Sequence, residues 1–177
     1  MQKKRLIIVS NRLPVTVEHN DSGYITRPSS GGLVSAITSY LNKDGKAVFS
    51  EAIWAGVPGV SEKVWNIAAN QMTTNLYGLV PIFINWKIYE LYYNGFSNSV
   101  LWPLFHYFPS YVDYNQSYYK AYLDVNETFA NILSAHLRKD DVVWIQDYHL
   151  LPLAGMLRKK FPKLTIGFFS ACPLSIV

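Results

Sequence analysis

Four stretches of this sequence carry residue types that can do chemistry. Arg12 ends Ser10-Asn11-Arg12, directly after the apolar run Leu6 to Val9. A guanidinium there offers a fork of donors suited to a phosphate or a carboxylate. Ser29-Ser30-Gly31-Gly32 precedes Leu33 to Leu41, which has helical periodicity. Glycines let a ligand approach the backbone, and a helix start presents free N–H groups to an anion. Gln146-Asp147-Tyr148-His149 follows Val142 to Ile145; Asp147 can accept hydrogen bonds from sugar hydroxyls and His149 can carry a proton. Tyr93 to Trp102 interleaves aromatic rings with amides and hydroxyls. Sugar sites use that mixture, because ring faces cover C–H patches while amides and hydroxyls bind hydroxyl groups.

Spacing alone leaves each stretch a second reading. Arg12 can be a surface charge, Gly31-Gly32 an ordinary turn, Asp147 a helix cap, His149 a structural residue at a helix start, and Trp102 core. The glycine pair is not the three-glycine dinucleotide fingerprint, and neither a Gly-x-Ser-x-Gly elbow nor a phosphate loop ending in Gly-Lys-Ser/Thr occurs. The four histidines lie far apart and Cys172 stands alone, so no metal site is expected.

The elements that must position these residues follow from periodicity. Arg5 to Ser10 reads as a strand buried on both faces. Val15-Thr16-Val17 and Tyr24-Ile25-Thr26 flank a polar turn, as in a small hairpin or flap. A helix is expected from about Gly32 to Asn42, stopping near Asp44-Gly45. Ala47 to Trp54 and Leu76 to Ile84 read as strands, and Val64 to Gln71 is ambiguous. From Lys87 the pattern is helical and aromatic until Pro103 and Pro109 break it. A long helix is expected from about Gln116 to Leu137, capped by Asn115, with Tyr118, Tyr122, Val125, Phe129, Ile132 and His136 on one stripe. Val142 to Ile145 and Leu164 to Phe169 read as strands around a helix from His149 to Phe161 that Pro152 starts or kinks. This order predicts an α/β fold with a doubly wound, mostly parallel sheet, which would put Arg12 and Asp147 over one crevice.

A chain of 177 residues suits one domain with a real core. With 50% hydrophobic residues disorder is excluded, while 16% charged and 15% aromatic residues point to apolar surface meant for another domain or a ligand. The net charge of +4 is scattered, so a nucleic-acid stripe is not expected. One cysteine excludes a disulfide framework and suits a cytoplasmic setting. The apolar run near the start is too short for an export signal, and no run is long enough to span a bilayer, so no membrane partner is expected.

Four motifs in order resemble the amino-terminal domain of the trehalose-6-phosphate synthase family. They are Val9 to Pro14, Ser30 to Leu33, Tyr92 to Tyr107 (the longest and most specific), and Val143 to Leu151. The resemblance runs from residue 5 to about 169. It implies the amino-terminal half of a two-Rossmann-domain glycosyltransferase fold. It further implies retaining transfer of glucose from UDP-glucose to glucose 6-phosphate, giving α,α-trehalose 6-phosphate and UDP, with no cofactor and no metal. By that resemblance Arg12 binds the acceptor phosphate, Tyr93 and Asp147 contact the acceptor, and Trp102 walls its pocket. Gly31 and Gly32 lie against the donor.

The sequence departs from the family pattern after the last strand, where Gly167-Phe168-Phe169-Ser170-Ala171-Cys172-Pro173-Leu174-Ser175 stands. Ala171 occupies the place of the family's donor-contacting histidine. Residues 1–177 are therefore expected to form a single Rossmann-like acceptor-binding domain without the second, donor-binding domain. Alone the chain is expected to be inactive and to self-associate, which makes a homo-oligomer the expected partner besides the two substrates. The alternative is a non-catalytic sugar-phosphate-binding or partner subunit.

Overall fold

The structure, a computed structural model, describes residues 3–21, 23–70 and 76–171. Strand β1 (Lys4–Arg12) is followed by the antiparallel hairpin β2 (Val15–Asn20) and β3 (Gly23–Pro28). Helix α1 (Gly32–Tyr40), a π turn (Leu41–Gly45) and α2 (Lys46–Val48) lead into β4 (Phe49–Val57). Helix α3 (Glu62–Ala69) and the short β5 (Gly78–Pro81) come next. Helix α4 (Trp86–Glu90), a π-helical segment (Leu91–Leu101) and α5 (Trp102–Phe105) form one continuous helical arm. Then come α6 (Gln116–His136), β6 (Val142–Gln146), a 3-10 turn (Tyr148–Leu150), α7 (Leu153–Lys160) and β7 (Thr165–Phe169).

Five strands make one sheet in the order β5-β4-β1-β6-β7, and every pairing in it is parallel. The chain builds outward from β1 to β5, then crosses back to lay β6 on the other side. The order therefore reverses between β1 and β6, the position where open α/β sheets leave a crevice beyond their carboxyl ends. Side chains of β1 alternate between two cores, as a period of two requires. Leu6 and Ile8 pack with Trp54, Ile37, Leu41 and Trp65 on one face. Ile7 and Val9 pack with Val143, Ile145 and the inner sides of the helical arm, α6 and α7 on the other. Each such fully buried side chain contributes about 1.5–3 kcal/mol.

Several expectations are corrected in detail. The first helix does not stop at Asp44-Gly45 but continues to Val48, so β4 begins at Phe49 rather than Ala47. Gly45 keeps helical dihedrals and is buried; a Cβ there would come within 3.2 Å of Leu41 and Tyr40, so this glycine serves packing rather than termination. The ambiguous Val64 region is α3, whose cap is Ser61: its Oγ accepts from the Val64 N–H at 3.4 Å. The strand expected over Leu76 to Ile84 is only Gly78–Pro81. The helix expected from His149 divides into the 3-10 turn and α7, with Pro152 at the α7 cap. On α6 the buried stripe ends on Leu133, while Ile132 is half-buried and His136 exposed. Ser22, Gln71 and Cys172 to Ser175 lie outside the described residues.

The sheet edge beside the crevice is tight at one glycine. A Cβ on Gly56 would come 2.7 Å from the carbonyl carbon of Arg12 and 2.8 Å from the Leu13 nitrogen. Gly155, exposed on α7, would meet nothing within 4 Å. Gly56→Ala should therefore lower stability by about 1–3 kcal/mol. Gly155→Ala should raise it by about 0.4–1 kcal/mol through the unfolded chain. Denaturant titration of both variants checks the pair, and equal effects would place Gly56 in a looser setting than its contacts indicate.

Candidate functional site

Beyond the carboxyl ends of β1 and β6 lies a cleft of about 470 Å³. Its walls include Ser10 to Leu13, Ser29, Ser30, Leu33, Tyr93, Gln146, Asp147 and His149. Arg12 and Asp147 lie far apart in sequence and both line this cleft because Val9 pairs with Ala55 on one side and Ile145 on the other, which brings the ends of β1 and β6 together. Arg12 is exposed and also borders a neighbouring hollow of about 550 Å³, whose far wall is Phe83 to Trp86 and Tyr89.

The peptide that carries Arg12 is held by a buried relay. The indole N–H of Trp54 donates to Ser10 Oγ at 2.7 Å, and that hydroxyl donates to the Arg12 carbonyl at 2.6 Å. The Leu13 N–H donates to the Val57 carbonyl at 3.1 Å. Between them, Asn11 faces the other core. Its Nδ2 donates to Tyr89 Oη at 3.1 Å and its Oδ1 accepts from Tyr92 Oη at 3.2 Å. Burial raises the Tyr89 phenol above its ordinary range, and the Arg12 and Asn11 side chains against its hydroxyl pull the other way.

Tyr93 is placed by stacking. Its ring lies between Tyr89 (5.7 Å, 7°) and His149 (5.5 Å, 10°), and His149 in turn stacks on Tyr148 at 4.2 Å. Helix α6 anchors the turn that carries these rings: Tyr122 Oη donates to the Tyr148 carbonyl at 2.7 Å, and Asn126 Nδ2 to the His149 carbonyl at 3.1 Å. Burial drives the His149 imidazole down from 6.5 to about 4, against the opposing pull of the Asp147 charge. His149 is therefore neutral near pH 7.

Asp147 combines both readings left open by its sequence. It lines the cleft, and its Oδ1 accepts from the Tyr148 N–H at 2.9 Å as a cap of the 3-10 turn. Its backbone adopts φ 71°, ψ 165°, a region nearly confined to glycine. The Asp147 N–H donates to the Phe169 carbonyl at 2.7 Å, which ties the strained residue to β7. Strain of this kind collects at functional sites.

The remaining candidates border the site less directly. Gly31 and Gly32 are exposed between Ser30 and Leu33, which do line the cleft. Trp102 is not core: it is 43% exposed and stacks on His106 at 4.2 Å, outside the residues lining the cleft. Ala171 is exposed at the edge of the described residues. Ser10 and Gln146 carry a sequence signal only as members of the polar stretches that follow β1 and β6, and Trp54 and Tyr89 only as parts of a strand and an aromatic helix. Among the described residues no group of three or more His, Cys, Asp or Glu could hold a metal, and no helix is long and apolar enough to cross a membrane.

Residues 4–175 match the model of glycosyltransferase family 20. The chain is 38% identical over 171 residues to alpha,alpha-trehalose-phosphate synthase [UDP-forming] A of Dictyostelium discoideum, covering 96% of this chain and 22% of that protein. It is also similar to an alpha,alpha-trehalose-phosphate synthase (UDP-forming) from Burkholderia xenovorans in complex with glucose-6-phosphate. There the TM-score is 0.70 at 29% identity, over 94% of this chain and 33% of the other. An E. coli trehalose-6-phosphate structure bound with UDP-2-fluoro glucose matches with a TM-score of 0.72 at 33% identity, over 94% and 33% of the two chains. The chain thus spans a third or less of the length of these relatives.

Two outcomes follow from the local physics of the Asp147–His149 turn. Asp147→Gly and Asp147→Ala both remove the carboxylate, but only glycine accepts φ 71° without strain. The glycine variant should be the more stable by about 1 kcal/mol, reversing the order common elsewhere, and thermal denaturation of the pair decides it. For His149, the folded pKa lies below the unfolded one, so the unfolded state binds the extra proton between pH 6.5 and about 4. Stability should fall as pH drops through that window, and His149→Phe should flatten the fall; an unchanged acid limb would contradict the burial assigned to this ring.

Proposed function

The chain belongs to glycosyltransferase family 20, and from that premise we propose that it forms the acceptor-binding part of a UDP-forming α,α-trehalose-phosphate synthase. The reaction is transfer of glucose from UDP-glucose to glucose 6-phosphate with retention, giving α,α-trehalose 6-phosphate and UDP in the cytoplasm. The observation that carries this reading is the meeting of Arg12 and Asp147 in one cleft at the point where the strand order reverses. A hexose phosphate needs both: a forked cation for the phosphate and a carboxylate acceptor for the hydroxyls. The names of the relatives, the glucose-6-phosphate bound to the Burkholderia protein and the UDP-2-fluoro glucose bound to the E. coli one agree with it.

Each residue takes a role from its chemistry. Arg12, on a peptide fixed from three sides, binds the phosphate. Asp147 accepts from the sugar hydroxyls, and Tyr93 lays its ring along the sugar. Gly31 and Gly32, at the start of α1, face the donor. Trp102, on the same helical arm as Tyr93, walls the acceptor pocket. The non-catalytic reading is not favoured, because the relatives named above are synthases. Arg12 is the one arginine or lysine among the described residues that line the cleft. Departing UDP needs cations of its own, and loss of one such charge-stabilising donor elsewhere costs about 10²–10³ in rate. The 177 residues alone are thus expected to bind the acceptor without turning over.

The test is calorimetry with glucose 6-phosphate and with glucose. Arg12→Ala should weaken glucose 6-phosphate binding about tenfold or more and leave glucose nearly unchanged, since a charge-assisted hydrogen bond contributes about 1.5–3 kcal/mol. Equal losses on both sugars would remove Arg12 from the phosphate site. Release of UDP from UDP-glucose and glucose 6-phosphate, at the rate of an intact two-domain enzyme, would show that these residues already build a complete site.

A further inference from the structure

Two side chains of the cleft have polar atoms that find no partner among the described residues. Gln146 is 1% exposed, and neither its Nε2 nor its Oε1 has a hydrogen-bond partner there. His149 is 9% exposed, and both of its ring nitrogens are likewise unpaired among the described residues. Buried polar groups are nearly always satisfied, and each exception calls for a cause. Other groups of this turn are engaged: Asp147 Oδ1 caps Tyr148, and the Tyr148 and His149 carbonyls are held by α6. The two orphaned groups flank Asp147 in sequence and both border the cleft. Ile145 pairs with Val9, so Gln146 lies beside Ser10, two residues before Arg12.

We infer that Gln146 and His149 are the specificity-determining groups of this cleft, reading the hydroxyls of the sugar whose phosphate Arg12 holds. The inference rests on the acceptor-binding reading above. Its chemistry is specific. A carboxamide offers two donors and an acceptor, and a neutral imidazole one of each. A sugar hydroxyl both donates and accepts, so it answers each of these groups; a phosphate dianion, which only accepts, answers half of them. The imidazole is held neutral by its burial, which keeps it from competing with Arg12 for the anion. The polar atoms do not reach solvent, so the side chains must turn toward the cleft to pair, and the unpaired resting state favours that turn once a ligand supplies partners.

A purely structural residue and a hydroxyl-reading residue respond differently to replacement by an apolar side chain of like size. Gln146→Met and His149→Phe remove groups that the unliganded fold leaves unsatisfied, so the melting temperature should hold or rise. Binding of glucose 6-phosphate should nonetheless weaken about tenfold in each variant, the value of roughly one lost hydrogen bond. Binding of inorganic phosphate, the probe for the Arg12 end of the cleft, should not change. All three quantities are measured on the 177-residue chain by calorimetry and thermal denaturation.

A melting temperature lowered by several degrees together with weaker binding would make the two residues structural and overturn the inference. So would an equal loss for both ligands, or no loss for either. If the unaltered chain binds inorganic phosphate but not glucose 6-phosphate, the hydroxyl reading fails along with the acceptor. If it binds neither, the acceptor-binding function itself fails first. Unchanged glucose 6-phosphate binding in the variants, with normal binding by the unaltered chain, sinks this inference and spares that function.

Discussion

Everything at the site depends on β1 being paired along both edges. Leu6 to Val9 are bonded in register to Ala52 to Ala55 on one side and to Val142 to Ile145 on the other. Parallel pairing brings the carboxyl ends of three strands to one rim, and it does so only when both faces can be covered by helices. The chemistry-bearing residues are then placed by strand register rather than by loop conformation. Arg12 is three residues past Val9, the last β1 position paired with both β4 and β6, and Asp147 is two residues past Ile145. A site built in this way is rigid where it meets the sheet, which suits recognition of a small polar ligand.

The two ends of β1 are secured by different means. At the amino end Arg5, buried against the sheet, donates from Nε and from a terminal nitrogen to the two oxygens of Asp141 at 2.9 and 2.7 Å, and to the His136 carbonyl at 2.9 Å. Asp141 also accepts from the Arg138 N–H at 2.7 Å, so both charges have several hydrogen-bond partners. A buried pair is tolerable only under that condition. The Asp141 contact dominates over desolvation and raises the Arg5 pKa further. At the carboxyl end no ion pair is formed among the described residues. Ser10 and Asn11 spend their side chains on Trp54, Tyr89 and Tyr92, which leaves the guanidinium of Arg12 as the charge the rim presents.

What the sequence disclosed, and what it did not, divides along physical lines. Buried strands and the long helix have strong periodic signals, so β1, β6 and α6 with its Asn115 cap were legible. Arg12 and Asp147 were legible as neighbours because strand ends in a parallel sheet converge. Gly45 was misread because a glycine that relieves crowding looks, in sequence, like one that ends a helix. Asp147's positive φ left no trace, since aspartate is not the residue such a conformation invites. The column Tyr89–Tyr93–His149–Tyr148 joins two segments more than fifty residues apart, and its geometry exists only after the helical arm packs on the 3-10 turn. Gln146 was hidden for the opposite reason: a lone carboxamide at a strand end becomes notable only when its partners can be counted.

The position of β1 also dictates the order of assembly. Arg5 and Asp141 are 136 residues apart, and the same long interval separates β1 from β6. During synthesis at about 5–20 residues per second, β6 leaves the ribosome on the order of ten seconds after β1. Through that interval the central strand of the sheet, buried from Arg5 to Ser10, can acquire β4 but not β6, and one row of its backbone groups remains open. Non-local pairing of this kind folds slowly and exposes sticky edges while it waits. The strand made first is therefore completed only late in synthesis, and the nascent chain is at its most aggregation-prone before the ligand crevice has a second wall.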